Sequence, residues 1–299
     1  MAIASQTPHL SILSSPDWED YKLLDSGNGY KLERYGPYRL VRPEAEAMWQ
    51  TALPVKEWQQ IDGKFIPAPE ENGGHWESSK CLPESWLIRY KDLCMKVQTT
   101  ASRHIGVFPE QAVHWDWIRS QVKKAARPVQ VLNLFGYTGL ATLAAAAAGA
   151  RVTHIDASRK AVTWARENQE LSGLAGMPIR WIVEDALKFV QRENRRGAHY
   201  EGIILDPPKF GRGPKGEVWE FYKLISELLH SCKQILSPSP AFVVITAYAV
   251  KASALTLYYA LQELMSGWKG QVEAGEIALE EQSARRLLST AIFARWSAN

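Results

Sequence analysis

From about residue 110 onward, short apolar runs alternate with amphipathic runs of helical length. A helix over 110–126 leads into the strand-like run VQVLNLF. LATLAAAAAGA reads as a helix ended by Gly149, and RVTHID as a strand. SRKAVTWARENQELSG reads as a helix with Ser158 as its N-cap and Gly173 at its end. IRWIVED, YEGIILD and AFVVITAY read as further strands. ALKFVQRENRRG, WEFYKLISELLHSCKQIL and ASALTLYYALQELMSG read as helices. Alternation of this length implies an α/β fold with a doubly wound parallel sheet and right-handed crossovers. The end breaks the pattern. GEIALEEQ and LLSTAIFARW, separated by a polar turn at SARR, predict a terminal β-hairpin. One strand of a seven-stranded, Rossmann-like sheet is then antiparallel.

Residues 1–100 follow another grammar. Turn signals (DSGNG, YGPY, DGKFIPAPEENGG, KCLPES) separate short aromatic-rich runs such as YKLL, YKLER, YRLV and WLIRY. This predicts a small β-rich N-terminal domain over 1–100, followed by the α/β domain over 101–299. A chain of 299 residues, 46% hydrophobic and 22% charged, has room for both. Net charge is +3, so any polyanion binding would rest on a local basic patch. Cys81, Cys94 and Cys232 form no close pair and no metal-like spacing. That argues against a disulfide framework or a zinc site, and for a reduced, cytoplasmic protein. The start lacks a basic n-region and a sustained apolar core, so no signal peptide is expected. No apolar run approaches the ~20 residues of a membrane helix.

Ligands of such sheets bind at the carboxyl ends of the strands. After the first strand comes NLFGYTG, with Asn133, Phe135, Gly136, Tyr137, Thr138 and Gly139. Its glycines let backbone N–H groups and the next helix start approach a ligand. After the second strand comes Asp156, followed by Ala157 and Ser158; an acid here can accept both hydroxyls of a ribose. After the third come Glu184, Asp185 and Ala186, where a carboxylate followed by a free N–H suits an adenine edge. After the fourth come Asp206, Pro207, Pro208, Lys209 and Phe210. Singly, each is weak: a Gly pair can simply make a turn, and a strand-end Asp can simply cap a helix. In order, they outline a nucleoside-like cofactor along strands one to three and a reaction site at strand four. A dinucleotide fold would want G-x-G-x-x-G, and this loop has only Gly136-x-x-Gly139.

At these motifs the chain resembles the class I S-adenosylmethionine-dependent methyltransferases. More narrowly, it is similar to the bacterial 23S ribosomal RNA methyltransferases with an Asp-Pro-Pro-Lys-Phe motif. LCMKVQTTASRHIGVFPEQ, VLNLFGYTG, HIDASRKAVTWARENQELSGL, VEDALKFV and GIILDPPKF follow in family order, from about Leu93 to the end of the sheet. The resemblance implies S-adenosylmethionine as cofactor, with Asp156 on its ribose, Asp185 on its adenine and the Asn133–Gly139 loop on its methionine part. Ala157, Ser158, Glu184, Ala186 and Asp206 complete that set. It also implies RNA as partner, with no metal and no membrane. The RNA-binding PUA-type domain of the fuller family members has no counterpart here. The first hundred residues look like the family's middle β-rich domain plus an extension.

Two prolines after a strand hold the backbone extended and offer acceptors, the Asp206 carboxylate and a carbonyl, to one spot. That spot suits an N–H-bearing planar group such as a base edge. Phe210 either stacks on that base or packs into the core; the sequence carries both readings. GRGPKGEVW is expected to be a mobile cover in which Lys209, Arg212 and Lys215 seek phosphate. Its plain alternative is a solvated loop. Arg192, Arg195 and Arg196 read as a solvated helix end. Methylation at a pyrimidine C5 needs a thiolate to attack C6 first. Family members that make 5-methylcytosine carry Cys after the fifth strand, where this chain has VVITAYAV. Cys232 falls in the apolar stripe Ile225, Leu228, Leu229, Cys232, Ile235, Leu236. The expected acceptor is therefore a base nitrogen in RNA. The alternatives are a small-molecule or protein acceptor, or 5-methylcytosine formation.

Overall fold

The computed structural model describes residues 7–14, 18–68, 73–79 and 82–299. Cys81 lies outside the described residues. The large sheet has eight strands: β1 (Leu10–Ser14), β2 (Gln130–Leu134), β3 (Arg151–Asp156), β4 (Ile179–Val183), β5 (Gly202–Leu205), β6 (Phe242–Ala247), β7 (Gly270–Glu280) and β8 (Leu287–Ala298). Their order is β1-β7-β8-β6-β5-β2-β3-β4. β8 is antiparallel to both its neighbours, and every other pairing is parallel. Strands β2 to β8 are those expected from the alternation and the terminal hairpin.

The expected strand count of seven is corrected to eight. β1 adds along the outer edge of β7, pairing Leu10 to Ala274 through Ser14 to Ala278. The Ser11 hydroxyl donates to Glu273 at 3.0 Å across that pairing. Residues 10–14 therefore lie in the large sheet, although they precede the small β-rich part. No local pattern in LSILS signals a partner more than 260 positions away.

Helices α1 (Ala112–Lys124), α2 (Leu140–Ala147), α3 (Arg159–Leu171), α4 (Ala186–Arg195), α5 (Phe221–Ile235) and α6 (Ala254–Leu264) complete the α/β unit. Period-two alternation divides β5 between two cores. Ile203 and Leu205 pack with Phe189 of α4, Leu228 of α5 and Leu257 of α6. Ile204 faces the other way, toward Ile118 of α1 and Ala145 of α2. Cys232 is buried in the first of these cores, as its helical spacing indicated.

The small β-rich part is a five-stranded sheet (Tyr21–Gly27, Tyr30–Tyr35, Tyr38–Pro43, Gly63–Pro67, Gly74–Ser78) and a separate hairpin (Ser85–Tyr90, Leu93–Gln98). That hairpin docks on α3: Trp164 Nε1 donates to the Lys96 carbonyl at 2.9 Å, and Cys94 N–H donates to the Ser172 hydroxyl at 3.0 Å. Tyr35, Ile88 and Met95 share one apolar core with Leu140, Leu143 and Leu288. The segment from 99 to 111 then leads back to α1 and carries side chains to the carboxyl ends of the sheet strands.

Candidate functional site

The carboxyl ends of β4, β3, β2 and β5 lie side by side, because those strands are hydrogen-bonded neighbours. Asp156 pairs with Val183, Ile155 with Leu134, and Leu134 with Leu205. The register brings the four strand-end motifs to one rim, where a cavity of about 550 Å³ opens. Phe135, Tyr137, Asp156, Ala157, Ser158, Glu184, Asp185, Ala186 and Asp206–Phe210 all line it. Its size is ordinary for a site holding a cofactor-sized ligand.

The loop after β2 is shaped by close approach. A Cβ on Gly136 would stand 2.4 Å from the His154 ring. Gly139 has φ of 86° and starts α2; a Cβ there would lie 2.8 Å from that of Ala165. Phe135 and Tyr137 also take left-handed conformations, φ 59° and 49°. Such angles are uncommon for bulky side chains and cost free energy that surrounding packing must hold. They turn both rings to the cavity. Asn133, Gly136, Thr138 and Gly139 do not line it. Asn133 is 2% exposed and donates to the Thr142 hydroxyl at 2.8 Å, beneath the loop. The Thr138 hydroxyl donates to the Gly106 carbonyl at 2.6 Å. Asn133, Gly136 and Thr138 face a smaller adjoining cavity of about 60 Å³.

Asp156 Oδ2 accepts from Tyr137 N–H and Oδ1 from Ser158 N–H, both at 2.8 Å. Burial raises its carboxyl above the ordinary value, and those two N–H groups work against the rise. Asp185 caps α4, accepting from Lys188 N–H at 2.9 Å. Glu184 pairs with Arg192, whose guanidinium lies 5.0 Å from the Phe189 ring centre. Arg192 is thus part of the site's surroundings, against the expectation of a solvated helix end.

Asp206 is held from two sides. Thr246 of β6 donates to its Oδ1 at 2.6 Å, and Gln111 Nε2 lies 3.4 Å from both Asp206 Oδ2 and the Thr246 hydroxyl. Burial raises the Asp206 carboxyl, and the Thr246 hydroxyl opposes that rise. The expected mobile cover is instead a short hairpin, Phe210–Arg212 against Val218–Glu220. Trp219 explains the order. It is 3% exposed, lies 4.9 Å from the Phe135 ring, and donates from Nε1 to the Pro208 carbonyl at 2.6 Å. Lys188 closes the tip through Glu217 at 2.7 Å. Phe210 is 54% exposed, which removes the core reading for it. Lys209 and Arg212 line the cavity; Lys215 sits beyond it at the hairpin turn.

Gln111, Glu110, His104 and Tyr248 also line the cavity, and the strand-end pattern did not point to them. For His104, Glu110 and Gln111 the signal lies in LCMKVQTTASRHIGVFPEQ, one of the segments that carry the family resemblance. Burial, with help from Arg42, Arg103 and Lys31, lowers the His104 imidazole to about 3, so it is neutral near pH 7. Neither described cysteine lines the cavity. Among the described residues, no group of three His, Cys, Asp or Glu is placed to hold a metal. No helix among them is long and apolar enough to cross a membrane.

A family model for S-adenosylmethionine-dependent methyltransferases matches residues 64–252. Over 146 residues the chain is 35% identical to the ribosomal RNA large subunit methyltransferase K/L of Shewanella frigidimarina. That match takes in 48% of this chain and 20% of the relative, so the chain spans about a fifth of that protein's length. The crystal structure of an S-adenosylmethionine-dependent methyltransferase from Agrobacterium tumefaciens is similar throughout. It is 47% identical, with a TM-score of 0.93 over 98% of this chain and 97% of that one. A Streptococcus mutans structure described as a methyltransferase of the same kind shares the fold, at 17% identity and a TM-score of 0.70 over 93% of this chain and 75% of that one. The chain belongs to the S-adenosylmethionine-dependent methyltransferase family, and S-adenosylmethionine is its cofactor.

Proposed function

We propose that the chain transfers the methyl group of S-adenosylmethionine to a base nitrogen in RNA, with ribosomal RNA the favoured substrate. The observation that carries this is Asp206, a clamped acceptor in a cavity that holds no described thiol and has Lys209 and Arg212 on its wall. Asp156 takes the ribose hydroxyls, Asp185 the adenine edge, and Phe135 and Tyr137 the flanks of the nucleoside. The bound cofactor supplies an electrophilic methyl on a sulfonium. Asp206 and a neighbouring backbone carbonyl accept from the target's N–H groups and align its nitrogen, while Trp219 holds the Pro208 carbonyl. A thiol adduct is not required for a nitrogen acceptor, and Cys232, whose thiol burial pushes well up, could not serve one. Lys209 and Arg212, which make no ion pair among the described residues, draw RNA phosphate, with Lys215 beside them. The named activity of the Shewanella relative on large-subunit ribosomal RNA supports the same substrate class. The division into a small β-rich part over 1–100 and a catalytic part over 101–299 belongs to this reading, with Leu10–Ser14 joining the large sheet.

The test is transfer of labelled methyl to RNA from cells lacking the gene. Label that survives ribonuclease but not protease would identify a protein acceptor instead. Asp156→Ala is expected to weaken cofactor binding by about 1.5–3 kcal/mol, roughly ten- to hundredfold, because the ribose hydroxyls lose a charged acceptor. Calorimetry measures this directly, and unchanged affinity would move the cofactor away from β3.

A further inference from the structure

We propose that the methyl-accepting heterocycle stacks on Tyr248, which Arg103 and His104 hold in place, and that Glu110 on the same wall engages its edge. This rests on the reading that the acceptor is an RNA base. Tyr248 directly follows β6, and strand order separates it from the cofactor side. β6 lies beyond β5, whereas Asp156 and Asp185 follow β3 and β4 on the far side of β2. The cofactor and a stacked base would therefore flank Asp206 from opposite directions along the sheet edge.

Three features mark this wall as built for a planar group. First, the rings form a row: Tyr248 to His104 at 6.4 Å, His104 to Phe108 at 5.0 Å, and Phe108 to Tyr137 at 5.6 Å. Second, Tyr248 is fixed. Its hydroxyl accepts from Arg103 Nη2, whose guanidinium carbon lies 5.6 Å from the ring centre. The next residue, Ala249, is in the left-handed region at φ 55°, an uncommon conformation for a residue with a Cβ. Third, Glu110 is only 6% exposed, lines the cavity, and is met by its own backbone N–H but, among the described residues, by no hydrogen bond or ion pair from another side chain. A buried carboxyl held by a single N–H keeps acceptor capacity that a ligand's polar edge can fill. Burial favours its protonated form, while Lys31, its own backbone N–H and Arg42 pull the other way. A nucleobase offers in one plane the π-face that the rings want and a polar edge for the remaining acceptor capacity of Glu110. Phe210, the stacking candidate from sequence, is on the exposed hairpin with Arg212 6.0 Å from its ring. That position suits the rim.

The experiment uses the full chain, RNA from cells lacking the gene, and S-adenosylmethionine labelled on its methyl. Tyr248→Leu keeps apolar bulk but loses the flat face. It is expected to lower kcat/KM for RNA roughly tenfold or more, with cofactor Kd by calorimetry within about twofold of wild type. Tyr248→Phe should recover most of the loss. Glu110→Leu fills its space without a polar atom, so the fold should persist while kcat/KM for RNA falls roughly tenfold. Phe210→Ala is expected to cost less than Tyr248→Leu. The inference is overturned if Tyr248→Leu matches wild type, if its loss is carried by cofactor Kd, or if Phe210→Ala costs more. Wild-type chain that transfers no methyl to any RNA would remove the underlying reading, and this inference with it. Active wild type with an equally active Tyr248→Leu variant would remove the inference alone.

Discussion

Asp206→Ala is expected to reduce methyl transfer to RNA about a hundredfold or more, while cofactor affinity changes only a few fold. The alanine removes both carboxylate oxygens from the end of β5. It also leaves the Thr246 hydroxyl and the Gln111 amide, now 2.6 and 3.4 Å from Asp206, without the group they orient. Nothing then aligns the target nitrogen, although the strand ends assigned to the cofactor are intact. Asp206→Asn separates shape from charge. It keeps one acceptor but offers N–H where the target also offers N–H, so a partial loss is expected. The pH profile adds a signature. Burial raises the Asp206 carboxyl above its ordinary value. Only its ionised form is purely an acceptor, so kcat/KM should rise with pH through a limb displaced upward from the usual aspartate range. The Asn variant should lack that limb. Wild-type turnover in Asp206→Ala would remove the β5 terminus from the chemistry.

The strand-end residues were legible because topology alone locates them. Once the alternation of β2 to β6 is read, the carboxyl ends must share a rim, and Asp156, Asp185 and Asp206 are carried there. Asn133, Gly136, Thr138 and Gly139 were drawn in with their loop. Which way a side chain in a tight turn points depends on φ values, and the left-handed Phe135 and Tyr137 send neighbouring groups inward. The wall made by His104, Glu110, Gln111 and Tyr248 was not legible. Gln111 lies 95 positions from Asp206, and tertiary contacts aim that segment at the cavity: the docking of the Leu93–Gln98 hairpin on α3, and the hydrogen bonds from Thr138 to Gly106 and from Arg42 to Arg103. The hairpin at 210–220 was misjudged for a related reason. Glycine and charge suggest mobility, but a single buried Trp219 outweighs them through contacts that composition does not reveal.

The same blindness to packing hid a buried ion pair in the small sheet, and Arg42→Met tests it. The variant is expected to lose about 3–5 kcal/mol of stability at neutral pH. Glu33 is fully buried. It accepts from Arg42 Nε at 2.7 Å and Nη2 at 2.8 Å, and from the Tyr21 and Tyr35 hydroxyls at 2.9 and 3.0 Å. The two charges are diagonal neighbours across a hairpin, since Arg42 pairs in register with Lys31 and Glu33 with Leu40. Burial alone would raise the Glu33 carboxyl, but Arg42 and Lys31 overcome it and hold it at about 2, against an ordinary 4.5. A depressed carboxyl contributes stability above its unfolded value and loses it as pH falls through the folded value. In wild type that contribution is therefore present above about pH 4.5 and fades toward pH 2. In Arg42→Met, burial is opposed by Lys31, at 3.9 Å, as the one cation left beside it among the described residues, and by the tyrosine hydroxyls. The Glu33 carboxyl should then rise, and protonation on acidification should relieve the variant. The deficit measured by urea unfolding should be largest near neutral pH and should shrink as pH falls toward 4. A deficit independent of pH would mean that Glu33 is not the stranded charge. Replacing both partners, Arg42→Met with Glu33→Leu, should restore much of the loss, because no buried charge is then left alone. Arg42 Nη1 also donates to the Arg103 carbonyl at 3.0 Å, so the same substitution loosens the segment that carries Arg103 and His104 to the cavity. In the double variant, stability should return while transfer to RNA stays impaired, because the small sheet would no longer hold that wall in place.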